Sequence, residues 1–136
     1  MNNYCNPQRL PLTKHNISKI VNLVFKAEGN KNYCLIFNFI PDKEIRKINK
    51  NYLNHNFVTD IITFPYSEND NIIDGELFIS PEQVKKNAKL YKTFFINELR
   101  RVIIHGCLHL LGYEDRTQKQ ALLTRQKEDY YLSKEK

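Results

Sequence analysis

No apolar run in the 136 residues approaches the roughly 18 needed to cross a membrane. The opening segment, MNNYCNPQRLPLTKHN, lacks the apolar centre of a signal peptide, so the expected location is the cytoplasm. Cysteine is sparse: Cys5, Cys34 and Cys107 are odd in number and show no CxxC spacing, which points to reduced thiols rather than a disulfide framework. Internal repeats, linkers and low-complexity tracts are absent. Only four glycines occur, and Gly29 and Gly112 fall where helical patterns stop. What is present suits one domain over residues 1–136, because 41% apolar and 12% aromatic residues exclude a wholly disordered chain. Lys and Arg (21) exceed Asp and Glu (15), a net charge of +6 that favours polyanionic partners without identifying one.

Periodicity organises the chain. A short strand is expected around Tyr4 and Cys5, then a helix from Asn16 whose apolar stripe is Ile17, Ile20, Val21, Val24 and Phe25. Tyr33–Ile40 reads as a largely buried strand, and Pro41-Asp42 opens a helix carrying Ile45, Ile48, Tyr52 and Leu53. Thr59–Pro65 and Ile72–Ser80 read as strands joined by the polar turn 67–71. Ser80-Pro81-Glu82 starts a helix running to about Tyr91, since serine caps well and proline suits the first helical position. Two more helices follow, about Phe94–Leu110 with Phe94, Phe95 and Ile96 in its apolar set, and an amphipathic one about Thr117–Leu132. The order β-α-β-α-β-β-α-α-α predicts an α+β domain, a mixed four-stranded sheet covered by about five helices, with the Phe94–Leu110 helix in the core.

That helix ends in the densest chemistry of the chain, His105-Gly106-Cys107-Leu108-His109-Leu110-Leu111-Gly112-Tyr113-Glu114-Asp115. Histidines four apart share a helix face, so His105 and His109 can reach one metal ion at about 2.0–2.1 Å. Gly112 can reverse the chain and return Asp115 as an oxygen ligand. Three protein ligands with a fourth position open is the arrangement of a catalytic zinc. The spacing parallels the zinc-binding stretch of metzincin proteases, but Gly106 stands where those enzymes carry their glutamate base, which disfavours proteolysis. Deaminase chemistry lacks its PCxxC segment, and an EF-hand at Asp70–Gly75 fails because Ile72 replaces an oxygen ligand. Cys107, about 200° around the helix from each histidine, reads as a core residue.

The same residues resemble the YbeY family of metal-dependent endoribonucleases. HGCLHLLGYED (His105–Asp115) is similar to the family's H-G-x-L-H-L-x-G-Y-D-H, INKNYLNHNFVTDIITFPY (Ile48–Tyr66) to its L-N-x-x-Y-R-x-x-x-x-x-T-D-V-L-S-F-P, and GELFIS (Gly75–Ser80) to its G-D-I-x-I-S strand. The resemblance implies a single-strand-specific, zinc-dependent endoribonuclease of the cytoplasm that acts in 16S rRNA 3′-end maturation and 70S ribosome quality control. Its implied partner is single-stranded RNA of the small ribosomal subunit, with no DNA and no membrane. One zinc ion would be held at His105, His109 and Asp115, the last standing where the family has histidine. Carboxylate also ligates zinc, so the substitution preserves binding while making bound water less acidic. Leu53 occupies the place of a family arginine proposed to act on RNA, and that role cannot pass to leucine. Lys50, Arg46 and His55 are candidate substitutes.

The general base is left unassigned among Glu114, Glu76 and Asp60. Lys85, Lys86, Lys89, Lys92, Arg100 and Arg101 form a basic stretch able to neutralise phosphates, and Tyr52, Phe64, Tyr66 and Tyr113 are candidates to stack on bases. The alternatives are a non-catalytic, zinc-containing ribosome-assembly factor and a metal hydrolase of another substrate.

Overall fold

The computed structural model describes residues 2–5, 10–29, 32–54, 59–66 and 72–134. The elements are β1 (Asn2–Cys5), α1 (Lys14–Ala27), β2 (Asn32–Phe39), α2 (Asp42–Leu53), β3 (Ile61–Pro65), β4 (Ile72–Ile79), α3 (Pro81–Leu90), α4 (Phe95–Leu110) and α5 (Gln118–Lys134). β2, β4 and β3 form the body of a mixed sheet: β4 runs parallel to β2 and antiparallel to β3. The expected four-stranded sheet is thus a three-stranded body to which the short β1 adds only an edge pairing, parallel to β2. The expected turn at 67–71 lies outside the described residues.

Local chemistry sets the helix ends. α1 begins before Asn16 because Thr13 is its N-cap, accepting from the Asn16 amide at 3.1 Å while the Asn16 side chain accepts from the Thr13 amide at 3.0 Å. Ser80 caps α3 through the Gln83 amide at 3.2 Å, with Pro81 behind it. α4 ends in a Schellman turn: Gly112, at φ +103°, donates to His109 O and Tyr113 donates to Leu108 O, both at 3.0 Å.

α4 is the hub, packing against α1, α3 and α5 and against β3 and β4. Its buried set is Leu99, Val102, Ile103, Ile104, Cys107 and Leu108, together with Glu98 and Gly106. Phe94 departs from the expectation: it is 76% exposed, because it stands at the N-cap, outside the helical stripe. β2 is buried on alternate residues, with Leu35, Phe37 and Phe39 inward and Cys34 exposed, so it is a one-sided strand rather than one buried on both faces. Among the described residues, no helix is long and apolar enough to cross a membrane.

Gly106 sets the distance between α4 and the sheet. A Cβ there would lie 2.6 Å from Leu77 Cδ2 and 2.7 Å from Ile61 Cδ1. Gly106→Ala should therefore overpack the interface and destabilise by about 1–3 kcal/mol, read as a lower urea midpoint with an unchanged slope.

Candidate metal centre

His105 and His109, one turn apart on α4, place their ring centroids 4.6 Å apart. The Schellman turn brings Asp115 back over them, with Oδ2 3.7 Å from His105 Nε2 and 3.8 Å from His109 Nε2. These gaps are too long for hydrogen bonds. They are of the size expected between atoms that share one ion, because ligands about 2.0–2.2 Å from a metal sit on the order of 3–4 Å from each other. The ligand atoms of all three residues lie within 4.8 Å of one another, so the donor set fits a divalent cation.

Two side chains on α5 and α1 hold this arrangement, and sequence periodicity pointed to neither. Glu128, 5% exposed, bonds His105 Nδ1 at 2.6 Å through one oxygen and accepts from Arg101 Nη1 at 2.9 Å through the other. Arg101 also meets Asp129 at 2.6 Å. A carboxylate on Nδ1 fixes the tautomer that leaves His105 Nε2 free to ligate. Glu28, at the end of α1, accepts from Tyr113 at 2.6 Å, from Lys127 at 3.2 Å and from Tyr131, tying the loop that carries Asp115 to α1 and α5. Thr124 adds a bond to Glu114 O at 2.8 Å.

The charges follow from this packing. Burial pulls the His105 pKa down, but the Glu128 hydrogen bond and charge outweigh it and leave it above the ordinary value. His109 sits below the ordinary value through burial and the charge of His105. Burial pushes Glu28 up, yet its Tyr113, Tyr131 and Lys127 donors win and hold it below the usual carboxylate range. Stability contributed by ionised Glu28 is therefore complete above its unfolded pKa and lost as pH falls through the lower folded value. The difference in urea midpoint between wild type and Glu28→Gln should shrink as the pH falls below the ordinary carboxyl range; a difference that widens on acidification would contradict this.

The cluster forms one wall of a cleft of about 360 Å³, whose other lining includes Asn49, Leu53, Thr59 and Asp60. Asp60 is the one of the three general-base candidates that lines it, with burial raising its carboxyl above the ordinary range against the opposing charge of His105. Glu76 does not line the cleft: Leu77 faces α4, so by strand alternation Glu76 lies on the opposite face, bonded to Asn38 and Tyr66 at 2.7 Å each. Glu114 also points elsewhere, 3.7 Å from Arg116 and beside Leu123 and Gln120.

The nucleic-acid candidates scatter. Lys50 is exposed on α2 but outside the cleft, and His55 lies outside the described residues. Arg100 bonds Asn97 at 3.4 Å, Arg101 is committed to Glu128 and Asp129, and Lys86 pairs with Asp42 at 3.1 Å. Tyr66 and Tyr113 donate to Glu76 and Glu28, and Tyr52 meets Phe64 edge-on at 5.9 Å, so none of the stacking candidates lines the cleft. Cys107 is fully buried and its thiol is pushed up to about 12 by burial, which leaves it an inert core residue.

Two imidazoles and a carboxylate at the wall of an open cleft in a small α+β domain form the donor arrangement of metal-assisted hydrolases. The sequence narrows the class. The model of the family described as Endoribonuclease YbeY matches residues 3–136, and the chain belongs to that family. It is similar to the Endoribonuclease YbeY of Chlorobium phaeovibrioides, 40% identical over 127 residues that cover 93% of this chain and 85% of the relative. That of Karelsulcia muelleri is 43% identical over 115 residues, 85% of this chain and 81% of the relative. The fold matches the solution structure of a Thermotoga maritima protein with a TM-score of 0.71 at 26% identity, covering 97% of this chain and 87% of that one.

Proposed function

We propose that the protein is a zinc-dependent endoribonuclease that cuts single-stranded RNA, with the 3′ end of 16S rRNA in the small ribosomal subunit as its substrate. The observation that carries this reading is the His105–His109–Asp115 cluster opening onto a cleft in a chain of the endoribonuclease YbeY family. His105 and His109 would hold the zinc through Nε2 and Asp115 through a carboxylate oxygen. Bound there, the ion supplies Lewis acidity to the scissile phosphate and to water.

The chain's own groups divide the remaining tasks. Glu128 keeps His105 in the ligating tautomer and Glu28 holds the Asp115 loop, so the donor set is organised before an ion arrives. Asp60 would take a proton from the attacking group, a role supported by its place on the same cleft and by the burial that raises its carboxyl. Leu53 lines the wall without charge, and no lysine or arginine lines this cleft among the described residues.

The test is incubation of purified protein with single-stranded and base-paired RNA and with a 16S precursor carrying an unprocessed 3′ end. Cutting confined to unpaired RNA, including the precursor end, is the expected result. An intact precursor beside cleaved generic RNA would overturn the ribosomal assignment. RNA left uncut throughout would favour the non-catalytic assembly factor.

A further inference from the structure

A second cleft, of about 290 Å³, adjoins the first and shares Asp60, His105 and Asp115 with it. An RNA strand seated at the cluster therefore runs directly into it, and this inference rests on the nuclease reading above. Among its lining residues outside the metal centre, three carry groups able to meet a ligand. Tyr91, at the C-cap of α3, is 58% exposed at its rim. Arg125 is exposed on α5 and, among the described residues, makes no ion pair or hydrogen bond, in contrast to the doubly paired Arg101.

Glu98 is the unusual one. It is only 6% exposed, it lines the cleft, and its carboxyl makes no hydrogen bond or ion pair among the described residues. The side chain is largely covered, but its carboxyl oxygens open onto the cleft rather than being sealed in the core, so they are available to accept from a ligand's donors. Burial, joined by the charges of Asp60 and Glu128, pushes its pKa above the ordinary range, and the charges of Arg101 and Arg125 oppose that push.

We propose that this cleft is a nucleobase subsite for single-stranded RNA that selects guanine: Tyr91 stacks on the base, Glu98 accepts from its edge, and Arg125 meets the adjoining phosphate. The choice of base follows from donor geometry. Guanine alone among the standard bases presents two adjacent donors, N1–H and N2–H, which match the two oxygens of a carboxylate. Adenine and cytosine set a ring-nitrogen acceptor beside their amino group, and uracil flanks its one donor with carbonyls. Stacking on an exposed tyrosine is indifferent to base identity, so Tyr91 contributes affinity and Glu98 the selection.

Mapping the cut ends of a randomised single-stranded RNA tests this. Wild-type cuts should be enriched about tenfold for guanine at one fixed position relative to the scissile bond, the discrimination expected of one bidentate contact. Glu98→Gln, which keeps the shape, should lose that preference, because an amide's one acceptor and one donor also match the amino group and ring nitrogen of adenine and cytosine. Tyr91→Ala, an exposed change that the fold tolerates, should slow cutting while keeping guanine. Cuts with no base preference, or a guanine preference unchanged in Glu98→Gln, would overturn the subsite and leave the nuclease standing. RNA that is not cut at all would overturn both.

Discussion

His109→Ala protein is expected to carry no bound zinc after purification beside the wild type and to leave single-stranded RNA uncut, with its fold intact. His109 supplies one of three donors, and two cannot hold a metal ion firmly in an open site. Its side chain is 30% exposed at the cleft wall, so its removal opens no core cavity. The far-ultraviolet circular dichroism and urea midpoint of the metal-free proteins should therefore coincide, while elemental analysis separates them. Zinc retained at one equivalent would sink the ligand assignment.

Glu128→Ala should have the second large effect, for a different reason. The substitution leaves Arg101 and His105 without their shared partner beneath α5. Removing one member of a buried ion pair costs up to about 3–5 kcal/mol, and because Asp129 still pairs Arg101 at 2.6 Å the loss should fall toward the lower end of that range. Glu128→Gln separates the two roles of this residue. It retains an acceptor and the packing, so the fold should survive. It gives up the charge that makes His105 a basic, fixed ligand, and zinc affinity should fall about 10–100-fold. A competitive chelator titration reads that loss independently of RNA cleavage. Equal zinc affinity in Glu128→Gln and wild type would show that the carboxylate does not tune the ligand.

The histidine helix was readable from the chain because two signals coincide there. The stripe from Leu99 to Leu108 marks a core helix, and His105, His109 and Gly112 break that stripe at spacings that apolar packing does not require. The supporting groups were not readable for an equally physical reason. α5 turns Thr124, Glu128 and Tyr131 inward and leaves Leu122 and Leu123 exposed, so the expectation of an apolar inner face picks out the wrong side. Its inner face is polar because it meets polar partners on α4, the Asp115 loop and the end of α1. Glu76 illustrates a separate limit: alternation along β4 shows that two faces exist, and only the packing of Leu77 on Gly106 decides which one meets the helix. Basic residues are weaker guides still, since Arg101 and Lys86 are spent on ion pairs while Arg125, outside the basic stretch, faces the site.

RNA cutting is expected to depend on a metal held by His105, His109 and Asp115, and that dependence is open to measurement. It is tested most directly by stripping the wild-type protein with a chelator, removing the chelator, and following cleavage of single-stranded RNA as zinc is returned. No cleavage by the stripped protein and recovery that saturates at one zinc per chain are expected, with none in His109→Ala treated alongside. Undiminished cleavage by the stripped protein would contradict it.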